Sequence, residues 1–403
     1  MNDTPQGERV RIVLLGRCNV GKSSLINAIA GQPVAIVSPV KGTTTDPVRK
    51  AMEILPIGPV LLCDTPGLDD SGDLGELRMK RTMDELAIGD AVLLVTDAET
   101  GIGPGERVLL GKARERKIPV LVVFNRIDEI PTSAEIVAKA VKEAGCPVLP
   151  VSSTKGTGIV ALREAIAHAI PDDRSSRHLV ADLVPSGSVV VLVCPIDSAA
   201  PKGRLILPQQ QAIRDLLEKG VTPIICRETE LTKALASLKE PPALVVTDSQ
   251  VFGYVAPLVP PSIPLTSFSI LFARYKGDLG ELIRGAEAVH KLKDGDRILM
   301  AEGCTHHRQG DDIGTVKIPR LLQKKTGKTF QFEYSSGIRY PDDLPSYALV
   351  VHCGACMLNR REMCNRIETA KRAGVPIVNY GILLAYLNGI LERTIRPIPA
   401  ELR

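Results

Sequence analysis

The segment His352-Cys353-Gly354-Ala355-Cys356 sets two thiols and an imidazole within five residues, and Cys304-Thr305-His306 adds a third thiol with its own imidazole. Thiolate and neutral imidazole are soft-to-borderline donors suited to zinc, copper or iron–sulfur clusters. A C-x-H…H-C-x-x-C spacing admits a closed Cys₃His zinc site or a cluster held by Cys304, Cys353 and Cys356. On either reading His306 and His352 are fourth-ligand candidates or hydrogen-bond partners behind a ligand. Ligand chemistry alone leans to zinc. His307 reads as polar lining, and Cys364, inside a helical pattern, as a packed thiol.

A second constellation lies near the start. Gly16-Arg17-Cys18-Asn19-Val20-Gly21-Lys22-Ser23 is G-x-x-x-x-G-K-S, followed by Ser24. It falls between an apolar run at 11–15 and an amphipathic run at 22–30, the strand–loop–helix context of a phosphate cradle. There backbone N–H groups from Gly16 through Ser24 face phosphate oxygens, Lys22 reaches the outer phosphates and Ser23 ligates Mg²⁺. Asp64-Thr65-Pro66-Gly67 closes another short strand, so that Asp64 holds Mg²⁺ through water and the Gly67 amide faces the γ-phosphate. Thr44, in the loop 42–46, is a candidate to order on the metal. Asn125-Arg126-Ile127-Asp128 and Ser152-Ser153-Thr154 end two further strands. The Asp128 carboxylate can accept two hydrogen bonds from N1–H and the amino group of guanine, which adenine cannot offer. Asn19, Lys22, Thr44 and Gly67 are the candidate catalytic set. Leu68 stands where Ras-like proteins carry a water-orienting glutamine.

These residues need sheets to hold them. Alternating apolar strands and amphipathic helices predict an α/β chain of three domains. The first, 1–172, is a P-loop GTPase domain. The second, 178–262, is a small parallel-sheet dimerisation domain with strands at 188–194, 221–226 and 243–247. The third, 265–403, is an α/β metal-binding domain with a parallel sheet. The segment 171–176 reads as a linker, and the proline-rich 255–264 as a stiff extended connection. A domain with so few strands leaves edges open, which a second copy covers most economically, so a homodimer is expected. Cys304 and Cys353 each lie just past a strand end. In a parallel sheet such ends share one rim, where these folds place their sites. Cys194 and Cys226, in apolar strands, read as inert buried thiols.

The chain of 403 residues is 44% hydrophobic with a formal charge of +4, too modest to argue for nucleic acid. Aromatic content of 3% without tryptophan leaves little surface for stacking bases. Apolar runs fall well short of the ~20 residues of a membrane span. Nine cysteines without the dense pairing of secreted scaffolds point to a reducing, cytoplasmic setting.

Residues 10–170 resemble K⁺-dependent TrmE/Era-type small GTPases, the branch containing tRNA-modifying and ribosome-assembly GTPases. The departures are Arg126 for the usual lysine of N-K-x-D, and Ser152-Ser153-Thr154 for S-A-K. The resemblance implies slow, K⁺-stimulated GTP hydrolysis with Asn19 as a K⁺ ligand. With the cysteine signature behind such a domain, the chain as a whole resembles the HydF family, the GTPase maturases of FeFe-hydrogenases. Further matching stretches are Pro195–Leu205, Glu302-Gly303-Cys304-Thr305-His306-His307 and Asp311-Asp312-Ile313-Gly314. That resemblance implies a 4Fe–4S cluster on Cys304, Cys353 and Cys356, with a fourth iron open to His306, His352 or water. It implies a scaffold for a transient diiron precursor, delivered to apo FeFe-hydrogenase in cooperation with two radical-SAM maturases. The other reading is a zinc-stabilised GTPase assisting RNA modification or ribosome assembly.

Overall fold

The computed structural model describes residues 4–31, 48–67, 73–170, 177–196, 205–303, 312–337 and 340–403. Loop 42–46 with Thr44, Leu68, the linker 171–176, and residues 197–204 lie outside this set. So do Cys304, Thr305, His306, His307 and Asp311. Two compact units form, Met1–Ser175 and Ser176–Arg403.

In the first unit, strands such as Val10–Leu15, apolar but for Arg11, and Ala91–Thr96 are buried along their whole length, as strands covered by helices on both faces must be. The strands are β1 (Val10–Leu15), β2 (Val48–Ile54), β3 (Gly58–Asp64), β4 (Ala91–Thr96), β5 (Val120–Phe124) and β6 (Val148–Pro150). Their order is β2-β3-β1-β4-β5-β6, all parallel except β2, which pairs antiparallel with β3. β1 lies between β3 and β4, so the loop leaving β1 opens at the carboxyl end of the sheet, beside the ends of β3 and β4.

The second unit has two parallel four-stranded sheets. In the first, β7 (Val189–Val193), β8 (Thr222–Cys226), β9 (Leu244–Thr247) and β10 (Leu265–Ser267) run in the order β10-β9-β7-β8. In the second, β11 (Arg297–Glu302), β12 (Gln331–Ser336), β13 (Leu349–His352) and β14 (Ile377–Asn379) run in the order β12-β11-β13-β14. Several helices start directly from strand ends under a side-chain cap. Ser267 accepts from Ile270 N–H at 3.3 Å, and Asn379 from Ile382 N–H at 2.8 Å.

The boundary expected at 262–265 is corrected here. β10 belongs to the middle sheet through its pairing with β9. Residues 255–258 are not an extended spacer but the end of the helix Phe252–Leu258. Val255, Ala256, Val259 and Ile263 are all buried in the core under that sheet. The proline count suggested a stiff connection, but those apolar positions anchor it as core. The helix Phe268–Lys276 then joins the two sheets. Phe268, Leu271 and Phe272 enter the core of the middle sheet, whereas Ile270 and Ala273 enter that of the last sheet. Arg393 adds a clamp, donating to the carbonyls of Ala256 at 2.9 Å and Val259 at 2.7 Å.

Candidate functional site

The loop after β1 is built so tightly that side chains are excluded at two positions. Gly16 has φ 146°, and a Cβ there would stand 2.2 Å from the Val95 carbonyl oxygen. Gly21 has φ 88°, and its Cβ would stand 2.3 Å from Asn125 Nδ2. Lys22 is buried, and its ammonium donates to the carbonyls of Gly16 at 2.9 Å and Arg17 at 2.7 Å. The cation is therefore held at the centre of the loop whose amides would face phosphate oxygens.

Ser23 Oγ donates to Asp64 Oδ2 at 2.6 Å. Asp64 Oδ1 is buried with no hydrogen-bond partner among the described residues. Burial pushes the Asp64 carboxyl above its ordinary range, against the pull of the Ser23 hydroxyl and the Lys22 charge. An orphaned carboxylate oxygen beside a hydroxyl is the donor set of a hard divalent cation, and it fits Mg²⁺. Gly67 packs on the same loop: a Cβ there would lie 2.1 Å from Cys18 Sγ and 2.7 Å from the Cys18 amide nitrogen.

Asn125 joins three motifs. Its Nδ2 donates to the Val20 carbonyl at 3.0 Å, while its Oδ1 accepts from Ser153 N–H at 3.1 Å and Ser153 Oγ at 2.8 Å. Ser152 is fully buried, and its hydroxyl accepts from Lys155 N–H at 2.9 Å. Arg126, with φ 62°, donates to the carbonyl of Asn19, itself at φ 60°. The guanidinium thus ties the nucleotide-base loop to the phosphate loop. Val20 is buried, Ser24 half-buried, and Asp128 is exposed at the rim.

In the second unit the neighbouring parallel strands β11 and β13 end side by side, with Ala301 opposite His352. Cys353 N–H donates to the Ala301 carbonyl at 3.0 Å, and Gly303 N–H donates to Cys353 Sγ at 3.2 Å. The residue before Cys304 therefore touches the sulfur of Cys353; Cys304 itself lies outside the described residues. Cys353 is buried and Cys356 half-buried in the turn that follows. Among the described residues no group of three or more metal-binding side chains assembles. Two thiols in one turn, one of them accepting a backbone N–H, nevertheless form a soft donor set that fits iron–sulfur ligation.

His352 is fully buried and both its ring nitrogens are engaged. Nε2 accepts from Arg366 Nε at 2.7 Å, which leaves Nδ1 to donate to the Cys353 carbonyl at 2.7 Å. Arg366, 1% exposed, also donates to the Gly337 carbonyl and stacks 4.9 Å from the Tyr340 ring. Through Nδ1 this imidazole braces the backbone of Cys353, and through Nε2 it rests on Arg366.

Arg366 and Lys276 escape spacing arguments. Lys276, 3% exposed, donates to the carbonyls of Ala355 at 3.4 Å, Cys356 at 2.8 Å and Leu358 at 2.9 Å. The one available signal was a lysine closing a largely apolar helix that also carries Arg274. The remaining thiols lie elsewhere. Cys364 Sγ contacts the Lys276 carbonyl, and burial raises its pKa. Burial pushes Cys194 to about 12 and Cys226 to about 11, so both stay protonated and poorly reactive.

Comparison with known proteins adds identity to this geometry. Residues 179–277 match the hydrogen maturase F dimerization domain and residues 280–397 its tetramerization domain, together more than half of the chain. Residues 11–126 match a domain described as 50S ribosome-binding GTPase. The tRNA modification GTPase MnmE of Nitrosomonas europaea is 41% identical over 160 residues, covering 40% of this chain and 34% of that protein. MnmE of Burkholderia thailandensis is 36% identical over 170 residues, covering 40% and 36%. The chain thus spans only about a third of the length of these relatives. Among solved structures, an Era variant from Aquifex aeolicus bound to GDP·AlF₄⁻ overlays with TM-score 0.37 at 21% identity, over 53% of this chain and 91% of that one. The first unit is a GTPase domain. No helix among the described residues is long and apolar enough to cross a membrane.

Proposed function

The chain belongs to the hydrogen maturase F family and is a hydrogenase-maturation GTPase with two oligomerization domains; from this premise we propose that it is an iron–sulfur scaffold and carrier. Cys304, Cys353 and Cys356 would hold a 4Fe–4S cluster. Such a cluster, when bound, supplies an iron corner open to an exchangeable ligand, and the cargo is the diiron precursor of the hydrogenase cluster. The recipient is apo FeFe-hydrogenase, the co-workers are two radical-SAM maturases, and the working assembly is at least a homodimer in the cytoplasm. The observation that carries this reading is the contact of Gly303 N–H, in the residue before Cys304, with Cys353 Sγ.

The chain's own residues divide the labour. Lys22 and the loop amides bind the phosphates, Ser23 and Asp64 hold Mg²⁺, and Asp128 selects guanine. Gly67 keeps the end of β3 against the phosphate loop. In the second unit, His352 and Arg366 set the backbone from which Cys353 projects. The MnmE relatives match the GTPase domain alone, so tRNA modification is not carried over.

Anaerobic reconstitution with iron and sulfide, followed by absorption and EPR spectroscopy, tests the scaffold. A 4Fe–4S signal, and activation of an apo-hydrogenase by protein loaded with precursor, are expected. Zinc retained with no cluster signal would contradict it.

Two predictions concern the GTPase centre. Asp64→Asn removes the carboxylate charge presented to Mg²⁺, so the Mg²⁺ concentration needed for half-maximal turnover should rise about 10- to 100-fold in a Mg²⁺ titration. Asn19, in the phosphate loop, is the K⁺ ligand. Turnover in KCl should exceed that in NaCl about tenfold or more, since a further cation at the β/γ-phosphates offsets charge that develops in the transition state. Equal rates would remove the K⁺ assignment.

A further inference from the structure

Lys276 is a buried cation that the GTPase and scaffold roles leave unexplained. It projects from the helix Phe268–Lys276, whose residues enter both cores of the second unit. Its ammonium reaches a turn some eighty residues away and donates to three carbonyls there, those of Ala355, Cys356 and Leu358. No acidic group is among these three partners. Ala355, the residue before Cys356, sits in the left-handed region at φ 54°, a conformation an alanine adopts only when its surroundings impose it.

These facts combine. In a trans peptide the N–H points opposite to the C=O. Drawing the carbonyls of Ala355, Cys356 and Leu358 toward Lys276 turns the amides of Cys356, Met357 and Asn359 the other way. With one left-handed residue in the turn, such N–H groups form the concave arrangement that binds anions, including iron–sulfur clusters. Three thiolates on a 4Fe–4S core leave a net negative charge, which that concavity and a fixed cation behind it both stabilise.

We propose that Lys276 is the positioning residue of the cluster site: it shapes the Cys356 turn into an anion-binding nest and supplies the permanent positive charge behind it. The inference rests on the cluster reading above. Hydrogen bonds to cluster sulfurs and nearby positive charge both favour the reduced, more negative state, so Lys276 raises the reduction potential.

The test uses the full-length chain, reconstituted anaerobically with iron and sulfide, as wild type, Lys276→Met, Lys276→Gln and Lys276→Arg. Midpoint potential is read by EPR-monitored titration, iron per chain by analysis, and urea denaturation of the metal-free protein serves as a control for folding of the second unit. Lys276→Gln keeps donors and loses the charge; its potential should shift to more negative values. Lys276→Met should shift further and lose iron, and Lys276→Arg should restore both toward wild type. Unchanged potential and iron content in Lys276→Met and Lys276→Gln would overturn the inference while leaving the scaffold intact. A wild-type protein that takes up no cluster would instead overturn the scaffold reading itself.

Discussion

Lys22→Ala is expected to abolish nucleotide binding and leave iron uptake by the second unit unchanged. The ammonium is buried and makes two charge-assisted bonds to the loop carbonyls of Gly16 and Arg17. With nucleotide bound, its donors are positioned to meet phosphate oxygens, at about 1.5–3 kcal/mol for each bond to a charged group. Two such contacts amount to about 3–6 kcal/mol, a loss of roughly two to four orders of magnitude in affinity. Titration with a fluorescent GDP analogue measures it. The loop itself should survive, because Asn125 still anchors Val20 and the glycines still set the turn. Affinity within tenfold of wild type would mean that the lysine serves only to brace its own loop.

Arg366→Ala should be the most damaging single change in the second unit. The side chain is among the largest fully buried in the described residues, and it bonds to His352 Nε2 and to the Gly337 carbonyl. Truncation leaves a buried imidazole nitrogen without a donor, removes the bond to the carbonyl of exposed Gly337 and opens a cavity beside Tyr340. Orphaning buried partners costs about 1–3 kcal/mol each, and breaking a buried charged contact about 3–5 kcal/mol in all. Urea denaturation of the metal-free protein should show a loss of that size confined to this unit. Because His352 would no longer hold the Cys353 carbonyl, iron uptake should fall as well. Arg366→Lys should not rescue either loss, since an ammonium lacks the planar fork that spans both acceptors. An unchanged denaturation midpoint would show that the His352–Arg366 contact contributes nothing to holding the rim.

The two sites differ in how far they could be read from the chain alone. The nucleotide motifs are local: glycines demanded by positive φ and close approach, a lysine and a serine at the helix start, and short loops at successive strand ends. Their chemistry is therefore visible in spacing. What spacing did not reveal is that Arg126 ties back to Asn19, a contact across 107 residues. The rim of the last sheet was foreseeable to the extent that parallel strand ends share an edge, and β11 and β13 are indeed neighbours. The role of His352 was not, because ligand and positioning residue have the same sequence signature. The bond from Arg366, fourteen positions later on a packed helix, is beyond the reach of any local pattern. Lys276 acts across a sheet interface that no local pattern encodes. The 255–264 segment was misassigned because proline density outweighed four apolar positions that turn out to be core.

The account depends most on three cysteines converging on one cluster, and iron analysis of cysteine variants addresses it most directly. Wild type and Cys304→Ala, Cys353→Ala and Cys356→Ala would each be reconstituted anaerobically, with iron per chain, EPR and GTP turnover recorded in parallel. About four irons per wild-type chain are expected, as a 4Fe–4S cluster requires, with loss of the cluster signal in every variant and turnover unaffected. A Cys304→Ala protein that keeps its full cluster would contradict the convergence on which the carrier function rests.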